Sequence, residues 1–72
     1  MINVIINGEE HQFPNSLSLT ELLQHLKLSS SRVAVELNQA VVRRSLWNET
    51  KISHNDKIEI VHFVGGGFDF EL

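Results

Sequence analysis

The opening of the chain alternates. In Met1–Asn7 the apolar Ile2, Val4 and Ile6 fall on one side of an extended segment, with Asn3, Ile5 and Asn7 on the other, which predicts a strand. Asn7-Gly8 follows at once, a dipeptide that tolerates the positive φ angles of a two-residue type I′ hairpin turn. Glu9 to Phe13 is then the antiparallel return, with His11 and Phe13 on one face, and Pro14-Asn15 ends it because proline has no N–H for a ladder.

The period then changes from two to between three and four. In SLSLTELLQHLKL, the residues Leu19, Leu22, Leu23 and Leu26 form one apolar stripe at i, i+3, i+4 and i+7, the spacing of a helix that packs on something. Ser18 and Glu21 stand in the S-x-x-E relation of a capping box, and Leu17 with Leu22 fits a hydrophobic staple. Ser29-Ser30-Ser31 reads as a polar loop. Val33 to Leu37 is apolar enough for a central strand, Asn38-Gln39 for a turn, and Ala40 to Val42 for a short return. Ser45 to Ile52 has no clean period. Ser53 to Asp56 is a turn, and Lys57 to Val64 the last strand.

That last strand is apolar on both sides. Ile58, Ile60, His62 and Val64 share one face, and Glu59, Val61 and Phe63 share the other. A half-covered sheet carries polar residues on its open side. Val61 and Phe63 therefore either lie under a loop or belong to a binding surface. Trp47 has two readings as well: a core anchor beneath the loop that holds it, or a partner contact. The order hairpin, helix, strands specifies an α+β roll, a mixed sheet of four to five strands with one main helix across it.

Composition narrows the function. Seventy-two residues make one domain, too small for a deep enclosed active site. There is no cysteine, hence no disulfide and no thiolate metal site. The charge of −3 does not suggest nucleic acid; a chain ending at Gly67, with six basic and seven acidic residues, would carry −1. Arg43-Arg44, the single basic pair, is either solvated surface or a contact for an acidic partner. The N-terminal segment lacks the basic flank and apolar core of a signal peptide, and no apolar run reaches the ~20 residues that span a bilayer, so a cytoplasmic location is expected. His11, His25, His54 and His62 are scattered, and neither metal-ligand spacing, nor an acid/base pair of carboxylates, nor a nucleophile elbow is present. The chain does not read as an enzyme, and no bound metal or cofactor is expected.

What remains is the ending, HFVGGGFDFEL. Three glycines weaken any regular element and reach about 10 Å when extended, so Gly65, Gly66 and Gly67 read as an arm able to pass where only backbone fits, or as a loose linker. AVELNQAVVRRSLWNETKISHNDKIEIVHFVGGG, taken with the opening strand, Asn7-Gly8 and the helix, resembles the ThiS family of thiamin-pathway sulfur carriers over Met1 to Gly67. The resemblance implies a ubiquitin-like β-grasp fold. It also implies that a ThiF-type enzyme, using ATP, adenylates the carboxylate of Gly67, and that sulfur originating from a cysteine desulfurase turns the adenylate into a thiocarboxylate for the thiazole synthase ThiG. Gly65 and Gly66 are then the flexible arm, and Val61, Phe63 and Val64, with Trp47, the expected partner-binding residues. Two rival readings stay open: a MoaD-type molybdopterin carrier of the same fold and chemistry, and a ubiquitin-like interaction domain whose arm does no chemistry. Phe68 to Leu72 departs from the pattern, since Gly67 followed by a peptide bond has no carboxylate to activate. The extension is a pro-segment removed by a protease, a gene-boundary or fusion remnant, or an extra strand of alternating apolar and acidic residues.

Overall fold

The computed structural model describes residues 1–62. The alternating positions become a single mixed sheet: β1 (Ile2–Ile6), β2 (Glu9–Phe13), β3 (Val33–Leu37), β4 (Ala40–Val41) and β5 (Lys57–His62), in the order β2-β1-β5-β3-β4. Two hairpins flank β5. The β1–β2 hairpin pairs Ile6 with Glu9 across Asn7-Gly8, whose φ angles of 50° and 85° are those the dipeptide was expected to adopt. The β3–β4 hairpin turns through Asn38 and Gln39, also at positive φ. β5 joins them, parallel to β1 and antiparallel to β3.

Val33–Leu37 is an interior strand, as its apolar run predicts, and the middle place in the sheet falls to β5, which among the described strands is the one that pairs with both hairpins. The return strand β4 has two residues, although the Val42 N–H still donates to the Val35 carbonyl at 3.0 Å.

The helix α1 (Leu19–His25) starts where the capping box puts it. Ser18 Oγ accepts from the Glu21 N–H at 3.1 Å, and the Glu21 carboxylate accepts from the Ser18 N–H at 2.9 Å. That second bond is the main reason the Glu21 carboxyl titrates below its ordinary value; burial opposes it, and Lys51 adds a lesser lowering. The helix ends sooner than the leucine stripe suggested. Leu28 N–H returns to the Leu23 carbonyl and Lys27 N–H to Gln24, a Schellman closure with Lys27 at φ 61° in the place glycine usually takes. Without a glycine, the sequence does not announce that stop.

Leu19, Leu22 and Leu23 meet the inner face of the sheet, where Val4, Ile6, Phe13, Val33, Val35, Ile58 and Ile60 are buried with Trp47 and Ile52. Each such side chain contributes about 1.5–3 kcal/mol by leaving water. The segment without a period earns its place here. It opens with a 3-10 turn at Arg44–Leu46, then runs beside the helix start: Leu19 N–H donates to Thr50, Ile52 N–H to Leu17, and Ser16 Oγ to the Ile52 carbonyl at 2.6 Å. Ser30–Arg32, overlapping the loop expected at Ser29-Ser30-Ser31, forms another 3-10 turn. Among the described residues no helix is long and apolar enough to cross a membrane.

Candidate functional site

With the inner face filled by the helix, the other face of the sheet is left uncovered by the described residues. Register places its residues. Ala34 stands opposite Val61, Glu36 opposite Glu59 and also opposite Val41, and Ile5 lies beside Lys57 on one side and Glu10 on the other. Val61 is 52% exposed and Val41 48%, so the described residues leave both uncovered. Among the described residues no loop covers Val61. Phe63, Val64, Gly65, Gly66 and Gly67 lie outside the described residues.

Charge on this face is unbalanced. Glu10, Glu36 and Glu59 share it with one cation, Lys57, and Glu36 and Glu59 are directly cross-strand. Like charges at such positions repel and destabilise the pair. The apolar Val61 and Val41 thus sit in an acidic setting.

Trp47 is elsewhere. It is only 3% exposed, its indole N–H donates to the Val42 carbonyl at 2.9 Å, and the Arg44 guanidinium lies 5.1 Å above the ring. Its expected role as a partner contact is therefore corrected: a buried indole with a satisfied N–H is a core anchor, the other reading the sequence allowed. Arg44 is not idle surface either. Its Nε donates to the Ser30 carbonyl and its Nη2 to the Val33 carbonyl, both at 3.0 Å, which closes the side of β3 that the short β4 leaves bare. Arg43 is exposed, with no side-chain hydrogen bond among the described residues.

The histidines stay apart in function. His11 stacks on Phe13, His25 meets Phe13 edge-on, and His54 Nδ1 accepts from the Asn3 N–H at 3.0 Å. Among the described residues no three of His, Cys, Asp and Glu gather as metal ligands would.

The residue that sequence reading undervalued is Asn7. Besides making the turn, its side chain reaches β5: Oδ1 accepts from the Ile60 N–H at 2.7 Å and Nδ2 donates to the Ile60 carbonyl at 3.2 Å. Val41 was missed too. The only signal for it was the turn at Asn38-Gln39, which fixes the register that brings Val41 beside Glu36.

Comparison with known proteins decides what this framework is. The ThiS family matches residues 4–67. This chain belongs to the ThiS family. Its members are the ubiquitin-like sulfur carriers of thiamin biosynthesis, and the β-grasp sheet described above is theirs. The sulfur carrier protein ThiS of Bacillus subtilis is 33% identical over 63 residues, covering 86% of this chain and 96% of that protein. A crystal structure of the thiamine biosynthesis protein ThiS from Geobacter metallireducens superposes with a TM-score of 0.81 at 36% identity, over 92% of this chain and all of that one. A thiazole synthase of Paramagnetospirillum magneticum is 41% identical over 68 residues; these are 94% of this chain but 21% of the synthase, so the chain spans about a fifth of that relative's length.

Proposed function

We propose that this ThiS-family carrier presents the carboxylate of Gly67 for activation and loading with sulfur. The observation that carries the reading is the coincidence of two ends: the family match stops at Gly67, and β5, the strand leading to it, is the centre of the sheet, held by both hairpins. A small rigid body gripping one strand on both sides is suited to holding out the chain that follows it.

The chemistry follows from the weakness of a carboxylate as an acyl donor. In a ThiF-type adenylating enzyme a carboxylate oxygen of Gly67 attacks the α-phosphorus of ATP and pyrophosphate leaves. A persulfide whose outer sulfur comes ultimately from a cysteine desulfurase then attacks the acyl carbon and AMP leaves, and a thiol reductant cleaves the S–S bond of the resulting acyl disulfide to leave the thiocarboxylate. The carrier supplies the acid; ATP is bound by its partner. Gly65 and Gly66 present no side chains to a narrow channel. Val61, with Phe63 and Val64 after it, is the docking surface, and the glutamates around Val61 favour a partner bearing basic residues.

Thiazole synthase is the consumer of the sulfur. Support comes from the relatives named thiazole synthase that contain a stretch like this chain. Joining donor and acceptor in one polypeptide makes their meeting intramolecular. We place the chain's action in the cytoplasm, where its partners would find ATP. Gly67 has a carboxylate to activate only in a chain that ends there, as after removal of Phe68 to Leu72 by a protease.

The test uses a chain ending at Gly67, a ThiF-type partner and ATP. Intact mass should show AMP added at the C-terminus, and Gly67→Ala in the same chain should cripple that addition. A partner that adenylates its own carrier but leaves this one unmodified would sink the reading.

A further inference from the structure

We infer that Asn7 is a positioning residue for the chemistry at Gly67, an inference that rests on the sulfur-carrier reading above. The parallel ladder between β1 and β5 is short. Ile5 N–H donates to the Asp56 carbonyl and Asn7 N–H to the Ile58 carbonyl, at 3.0 and 2.9 Å, and at Gly8 the backbone turns away into β2. The next rung on β5 is Ile60, and no peptide group of β1 remains to meet it. The carboxamide of Asn7 does so instead. It offers the same C=O and N–H pair as a peptide, and it engages the Ile60 N–H and C=O together.

This bond pair marks the point where support for β5 changes. Up to Ile60 the strand is held on both sides; past it, among the described residues, pairing continues only through β3, where Val33 faces His62. Val61, the exposed docking residue, is the next residue along, and Gly67 is seven beyond Ile60. Asn7 therefore fixes the last doubly held rung, immediately before the docking side chain and five residues before the first glycine of the reacting arm. Its side chain fixes the backbone from which Val61 and the chain after it depart.

Only asparagine meets all the demands of the position. The φ of 50° suits Asn, Asp or Gly, and the rung needs both a donor and an acceptor. Asn7→Gly keeps the turn and removes the rung. Asn7→Asp keeps the turn and the acceptor and removes the donor.

The experiment measures adenylation of the chain ending at Gly67, by a ThiF-type enzyme with ATP, as pyrophosphate release over a range of carrier concentrations. In Asn7→Gly the saturating rate should fall ~tenfold, within what misplacement of reacting groups costs, while the half-saturating concentration moves less than about twofold. Asn7→Asp should fall between Asn7→Gly and the wild type. Amide exchange at Ile60 should quicken in Asn7→Gly. Wild-type saturating rates in the glycine variant, or a rise in half-saturating concentration alone, would overturn the inference, as would unchanged exchange at Ile60. Should Asn7→Gly not fold, Asn7→Asp decides by the same criteria. A wild-type chain that takes no AMP refutes the carrier reading itself, a distinguishable result.

Discussion

The two hairpin turns, Asn7-Gly8 and Asn38-Gln39, look alike and hold opposite ends of the same strand. Both run at positive φ, both begin with asparagine, and each asparagine bonds β5 through its side chain. Asn38 grips the start. Its N–H donates to the Lys57 carbonyl at 2.8 Å, its Oδ1 accepts from the Lys57 N–H at 2.9 Å, and its Nδ2 donates to the Asp56 carboxylate at 3.0 Å. Asp56 in turn accepts from the Ser53 N–H at 2.7 Å, so this grip is one part of a network that shapes the turn entering β5. Asn7 makes its rung alone, at the end of β5 that leads to the arm. The lesson is that one local device serves the fold at one end and, on our inference, the presentation of Gly67 at the other.

Substitutions can separate these roles. The largest effect on stability is expected at Asn38. Asn38→Ala removes partners of Lys57 and Asp56 and places alanine at φ 51°, so it should cost about 2–3 kcal/mol, seen as a lower urea midpoint. Saturating adenylation of the molecules still folded should match the wild type, because the rung at Ile60 is intact. A lowered saturating rate in folded Asn38→Ala would erase the distinction between the two turns.

Gly8→Ala should be milder. A Cβ there would meet nothing within 4 Å, so the cost is conformational alone, about 1–2 kcal/mol at φ +85°. It strains the turn while leaving the Asn7 carboxamide in place. The expected outcome is reduced stability with an unchanged saturating rate, the reverse of Asn7→Gly. If both variants lose rate equally, turn geometry rather than the side-chain rung is what matters.

The smallest effect lies at the helix cap, remote from both turns. The Glu21 carboxyl titrates below its ordinary 4.5 because the Ser18 N–H bonds its charged form. A group lowered on folding stabilises the native state above its ordinary value, and that stability is lost as pH falls through the folded value. Glu21→Gln should therefore lower the urea midpoint at pH 7, and the difference from wild type should shrink as pH drops below 4.5. A difference that stays constant with pH would assign the cap's stabilisation to geometry without charge.

Much of this fold was legible because it is local. Ser18 and Glu21 announce the helix start, the leucines its buried face, and Asn7-Gly8 the first hairpin, each through contacts between residues near in sequence. The helix end escaped because a lysine fills the left-handed position that glycine ordinarily marks. Trp47 was ambiguous since an indole suits a core and an interface alike, and Arg44 passed for surface since its acceptors, Ser30 and Val33, belong to another segment. The carrier family was legible in the motifs that carry the resemblance, whereas the uncovered face was only half visible.

The sequence by itself determined the elements, the apolar face of each, and the candidate acyl group at Gly67. Tertiary structure decided which strand is central, that Trp47 faces inward, that Val41 joins Val61 beside the glutamates, and that Asn7 bonds Ile60. The reason is range. Capping, turn and periodicity act over a few residues and leave a pattern in the chain, while the bond from Asn7 to Ile60 joins positions 53 residues apart, and nothing in either neighbourhood records it.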